Sequence, residues 1–152
     1  MKKPVIYGSL SVLWIGFIIS MSTQNAEKSS SVSRGLLKSM LFVFYKITRI
    51  EISPDTVHNL FRKCAHFTEF FILGIFIVLF LKSINKNKYL ALIYGAIVAF
   101  SDELTQLFTG DGRSMQFSDI LLDTFGVFVA VLILSESEKL YKVYRQKNAE
   151  HT

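Results

Sequence analysis

Arg62, His66 and Glu69 are separated by four and three residues, a spacing that sets all three on one face of a helix, with Lys63 beside them. Asp102 and Gln106 are four apart with Glu103 adjoining, and Asp119 and Asp123 are four apart with Gly126 extending their stripe. Arg113 stands between the second and third groups, and Gln24 lies well upstream. These residue types suit three kinds of chemistry. Arg62, Lys63 and Arg113 can engage a phosphate or carboxylate, arginine in bidentate fashion. His66 can act as general acid or base, oriented by Glu69 or another carboxylate, while Arg113 stabilises developing negative charge. His66, Glu69, Asp102 and Asp123 can also ligate a divalent cation. No compact ligand motif such as H-E-x-x-H accompanies them, so no cofactor is expected, the divalent cation being the one alternative.

The elements that must position these groups are apolar. Of 152 residues, 51% are hydrophobic, 14% aromatic and only 19% charged. That composition excludes a disordered chain. A disulfide scaffold is excluded by the single cysteine, Cys64, and Pro/Gly-rich designs by 2 Pro and 8 Gly. Four apolar runs, 5–21, 64–81, 89–108 and 117–134, approach the length of about 20 residues needed to cross a bilayer. None alternates with period two, so a β-barrel is not expected. The first run also resembles a signal peptide, but Ile19-Ser20-Met21-Ser22 offers no A-x-A-like cleavage site. The expectation is an all-α polytopic membrane protein: one domain over 1–152, built as a bundle of four transmembrane helices. Between helices one and two, a polar loop and the stretch 35–50 occupy 22–63. Lys38, Lys46 and Arg49 are spread among apolar residues there, which predicts an interfacial amphipathic helix. Ser53 or Asp55 is the expected cap of helix two. The basic tail 135–152 carries Leu140, Tyr141, Val143 and Tyr144, which favour continuation of helix four into the interface.

Basic residues set the orientation. Nine lie on the side of the termini and eight on the other, but the nine occupy 29 residues and the eight about 50. Both termini are therefore expected in the cytoplasm, with 22–63 extracytoplasmic. The net charge of +5 is a topology signal and does not imply nucleic acid. At 1.5 Å per residue, Glu69, Asp102 and Asp123 then lie roughly 8–9 Å below the outer ends of their helices. Three helices bring carboxylates to one depth, predicting a polar pocket open to the outer face. Ionisable residues at such depth are commonly functional. The competing reading is a buried network that only fixes helix packing. Five carboxylates against Arg62, Lys63 and Arg113 leave two negative charges over. The inner halves of helices two and four carry no ionisable residue, which argues against a transmembrane proton or ion relay.

The motifs Ser22-Thr23-Gln24, Arg62-Lys63-Cys64-Ala65-His66-Phe67-Thr68-Glu69-Phe70 and Ser101-Asp102-Glu103-Leu104-Thr105-Gln106, with Arg113, Asp119, Asp123 and Gly126, resemble the VanZ-like family. That family of small integral membrane proteins is named for a teicoplanin-resistance protein. The resemblance implies a multi-pass protein of the bacterial cell membrane, with a link in some relatives to glycopeptide tolerance, and it supplies no reaction. The first functional reading is a site for a lipid headgroup or lipid-linked cell-wall precursor, or a glycopeptide-related ligand. In it Arg62, Lys63 and Arg113 hold the anion and Gln24 lines the mouth. Glu103, Gln106, Asp119 and Asp123 line the same site. The second reading is a membrane-embedded hydrolase or transferase in which His66, Glu69 and Asp102 are catalytic. Oligomeric state is open.

Overall fold

The computed structural model describes residues 2–22, 46, 53–109 and 116–149. They form four helices, α1 (Lys2–Ser22), α2 (Pro54–Ser83), α3 (Leu90–Thr109) and α4 (Phe117–Ala149), with no strand among the described residues. All four are long and apolar enough to cross a membrane. The chain is a four-helix, multi-pass membrane bundle. Of the expected interfacial helix only Lys46 is described, in helical conformation; the rest lies outside the described residues.

Each boundary has a local cause. Ser53 is the cap of α2 in extended conformation and Pro54 follows, its fixed φ suited to a first helical turn. The capping differs from expectation in mechanism. The Ser53 hydroxyl makes no capping bond, and its carbonyl instead accepts from the Val57 amide at 3.3 Å. At the other end Asn85 takes a left-handed φ of 55°. There the Lys86 amide donates to the Leu81 carbonyl at 2.8 Å and the Asn85 amide to Lys82 at 3.1 Å, which closes the helix in a Schellman motif. Helix α4 runs unbroken through the basic tail to Ala149, as its apolar residues there predict.

Helix α2 packs against all three other helices, most extensively against α4, whereas α1 touches α2 and α3. Because α3 returns the chain across the bundle, α2 and α4 run parallel. Their paired residues keep a nearly constant offset, from Arg62–Asp119 at one end to Lys82–Glu138 at the other. The buried core lies along this seam, with Phe70, Leu73 and Val78 facing Val127 and Val131. Glycine sets the spacing. A Cβ on Gly126 would sit 2.7 Å from the Phe67 carbonyl oxygen and 3.1 Å from the Phe71 nitrogen, and one on Gly74 2.8 Å from Ala130. These are backbone-to-backbone approaches of the small-residue kind that membrane helices use.

The outer surface is apolar, with Val5, Val12 and Leu13 on α1 and Ile93 and Ile97 on α3 all exposed, as lipid contact requires. Hydroxyls within the helices turn back on their own carbonyls. Ser11 donates to Tyr7, Thr68 to Cys64, Ser101 to Ile97 and Ser135 to Val131. No water is needed to satisfy them.

If the α2–α4 seam is backbone contact, Gly126→Ala lowers the thermal midpoint of the detergent-solubilised protein, an overpacking cost of about 1–3 kcal/mol. Gly16→Ala, where an added methyl meets nothing within 4 Å, leaves it unchanged or raised. Equal midpoints for the two variants would show that the seam has room to spare.

Candidate functional site

The parallel seam places the two four-residue spacings opposite each other. Arg62 meets Asp119, and one turn deeper His66 meets Asp123. Antiparallel α3 brings Asp102, Glu103 and Gln106 against the same place. The end of α1 adds Ser22.

The polar residues divide into a rim and a floor. At the rim, Arg62 donates to Asp119 Oδ2 at 2.9 Å, and Lys63 Nζ stands 3.9 Å from Asp119 Oδ1. Ser118 also donates to Asp119 Oδ1, at 3.3 Å. Glu103, buried on α3, accepts from the backbone of Gln116 at the start of α4. At the floor, His66 Nδ1 lies 3.9 Å from Asp102 Oδ2 and 4.0 Å from Asp123 Oδ1. Asp102 and Asp123 are 1% and 2% exposed, while the His66 side chain keeps 16%, so the floor reaches the surface through the imidazole. Asp102 is held on both sides: Gln106 donates to its Oδ2 at 2.9 Å, and the Ser22 hydroxyl donates to its Oδ1. Asp123 Oδ1 is buried and has no hydrogen-bond partner among the described residues.

The depth of this floor follows from the opposite end of the bundle. There Glu138 on α4 pairs with Lys88 at 2.9 Å and with Lys82. Fifteen residues separate Asp123 from Glu138, roughly 22 Å along the helix. A hydrocarbon core about 30 Å thick, with Glu138 and its lysines at one boundary, leaves the floor roughly 8 Å inside the other.

Of the residues singled out in the sequence, Arg62, Lys63 and Asp119 come together, as do His66, Asp102, Gln106 and Asp123. Glu103 joins the rim. Glu69 lies at the edge of the site, within electrostatic range of Asp102 and Asp123, and borders an open groove of about 430 Å³ between α1 and α2, with Trp14, Phe17 and Thr68. Glu69 is absent from the group in which His66, Asp102 and Asp123 bring ligand atoms within 4.8 Å of one another. Gln24 and Arg113 lie outside the described residues. Two participants were not singled out. Ser22 stands two residues before Gln24 in the same motif. Trp14 donates its indole N–H to the Glu69 carbonyl at 2.9 Å, fastening α1 to α2 at the level of the site.

The arrangement can do two things chemically. The half-exposed Lys63 and the guanidinium of Arg62, whose Asp119 bond uses one of five N–H donors, present positive charge at the rim. Below them, an imidazole faces two buried carboxylates.

Comparison with known protein families gives a match over most of the chain. The family model described as VanZ/LLP1 covers residues 8–140, which includes every residue of rim and floor. No curated protein and no solved structure matches the chain.

The rim pair has a measurable asymmetry. Arg62→Ala leaves Asp119 buried with Lys63 and the Ser118 hydroxyl as its remaining neighbours, so it lowers stability in detergent by about 1 kcal/mol or more. The double variant Arg62→Ala/Asp119→Ala recovers part of that loss, because an unpaired buried charge costs more than an absent pair. Thermal unfolding of the two single variants and the double variant gives the coupling directly.

Proposed function

The chain belongs to the VanZ/LLP1 family, and on that premise we propose that it binds a phosphate- or carboxylate-bearing lipid headgroup, or a lipid-linked cell-envelope precursor, at the outer face of the bacterial cell membrane. The observation that carries this reading is the rim. Arg62 and Lys63 both turn toward one carboxylate at the exposed edge of a buried polar floor, and Lys63 remains half-exposed. A headgroup arriving along the bilayer surface meets that positive edge while its chains stay in lipid. Asp119 fixes the guanidinium in place, which reduces the ordering cost of binding. Both termini are cytoplasmic in this reading, since the densest lysine and arginine clusters lie on their side. The same binding links the chain to glycopeptide tolerance, the trait for which VanZ-like proteins are named.

A second reading, a membrane-embedded hydrolase or transferase, draws on the floor. An imidazole within 4.0 Å of two carboxylates has the makings of a general base and its orienting partner. In this version Asp102 and Asp123 take the orienting role, and Glu69 borders the groove beside them.

The test uses the full chain in phosphatidylcholine nanodiscs with a polyprenyl diphosphate as probe. Binding is expected, and Arg62→Gln and Lys63→Gln should each weaken it about tenfold or more, the loss of one charge-assisted hydrogen bond of about 1.5–3 kcal/mol. Affinity unchanged in both variants would remove the headgroup reading. Release of inorganic phosphate from the probe by wild type but not by His66→Gln would establish the enzymatic one. Orientation is checked in a Cys64→Ser background: a cysteine at Ser137 should resist a membrane-impermeant maleimide in intact cells and react after lysis.

A further inference from the structure

The geometry points to a divalent transition-metal site formed by His66 Nδ1 and the carboxylates of Asp102 and Asp123, an inference that goes beyond the headgroup reading and does not rest on it. Three observations converge. The ligand atoms of these three side chains, from three different helices, lie within 4.8 Å of one another. Asp123 Oδ1 is buried, is aimed at the imidazole 4.0 Å away, and has no hydrogen-bond partner among the described residues. An acceptor so placed in a lipid-embedded bundle calls for a cation or a proton. Finally, Asp102 is oriented from behind by Gln106 and Ser22, the kind of outer support that ligating carboxylates have.

The local charge balance favours a cation at the floor. Among the described residues the rim is neutral, Arg62 and Lys63 against Asp119 and Glu103. The floor carries Asp102 and Asp123, both more than nine-tenths buried, with Glu69 within electrostatic range of the two. A divalent ion cancels both aspartate charges at once and leaves the imidazole neutral, whereas protons cancel them only by adding to His66 and to one carboxyl together. One nitrogen and two carboxylate ligands suit zinc and its first-row neighbours better than calcium or magnesium, which take oxygen. Bonds of about 2.1 Å in tetrahedral array put ligand atoms about 3.4 Å apart. The two His66 separations, 3.9 and 4.0 Å, therefore need to close by about half an ångström, and the two carboxylates, within 4.8 Å of each other, by up to about 1.4 Å. Three protein ligands leave a fourth position open, and the partly exposed imidazole edge marks the route to it.

The experiment is a titration of tag-free, chelator-treated full-length protein in detergent, carrying Cys64→Ser so that no thiolate competes. Zn²⁺ should bind at one equivalent and raise the thermal midpoint. Co²⁺ should give visible d–d absorption that one equivalent of Zn²⁺ abolishes. Asp123→Asn and His66→Gln should each remove both signals, while Lys63→Gln, a rim change, leaves them intact whatever it does to headgroup binding. The absence of saturable Zn²⁺ and Co²⁺ binding by the protein without floor substitutions overturns the proposal, and that arm does not depend on any floor variant folding. So does undiminished binding in the Asp123→Asn and His66→Gln variants, which would place the ion elsewhere.

Discussion

The contact on which the rest of the molecule depends is the approach of the α4 backbone at Gly126 to the α2 backbone between Phe67 and Phe71. It fixes both the depth and the rotation of one helix against the other. His66 is one residue before Phe67, and Asp123 is three before Gly126. Arg62 and Asp119 lie one turn farther out. A side chain at Gly126 would push the seam open just below the floor. Because α2 and α4 run parallel, their matching four-residue spacings pair Arg62 with Asp119 and His66 with Asp123, whereas antiparallel neighbours would exchange the partners. Helix α3 makes that parallel pairing possible and inserts its own carboxylate between the other two.

Lipid surroundings explain how the remaining polar groups are distributed. Ser11, Ser101 and Ser135 donate to carbonyls four residues back, and the ionisable groups gather at two levels. At one level Glu138 answers Lys82 and Lys88, whose stems can carry their ammonium groups toward the headgroups. At the other, short aspartate side chains on three helices have no such reach. Carboxylates that cannot snorkel must be compensated where they are. The two ends of the bundle are therefore electrostatically different kinds of site, one a surface clasp and the other a buried cluster.

Sequence made the spans and the common depth of the carboxylates legible, since both follow from length, polarity and 1.5 Å per residue. It also made legible which residues share a helix face. It could not give the rotation of each face against its neighbours. Glu69 lies roughly 20° from Arg62 and 60° from His66 around the helix, at the edge of their shared face that borders the α1 groove. Ser22, named only as part of the Ser22-Thr23-Gln24 motif, gains its role for a related reason. A serine at the end of an apolar run reads as a boundary, and only the tertiary position of Asp102 makes it a donor. Asn85 carries a signal that a closer local reading can use, because asparagine tolerates the left-handed conformation that ends a helix.

The buried floor also bears on how the bundle is held together. Asp102 and Asp123 repel each other across α3 and α4 in a medium that screens little. Helix association in lipid has no hydrophobic driving force to oppose that repulsion, so the opposition must come from packing and from specific polar bonds. The structure supplies both in adjacent layers. Immediately inward of the floor, Phe70, Leu73, Val127 and Val131 are fully or almost fully buried along a glycine-spaced seam. Immediately outward, Arg62 ties α2 to Asp119, and the Gln116 backbone ties α4 to Glu103 on α3. The repulsive layer is clamped from both sides. A bundle selected only for stability has no use for such a layer, since apolar residues at positions 102 and 123 would pack without it.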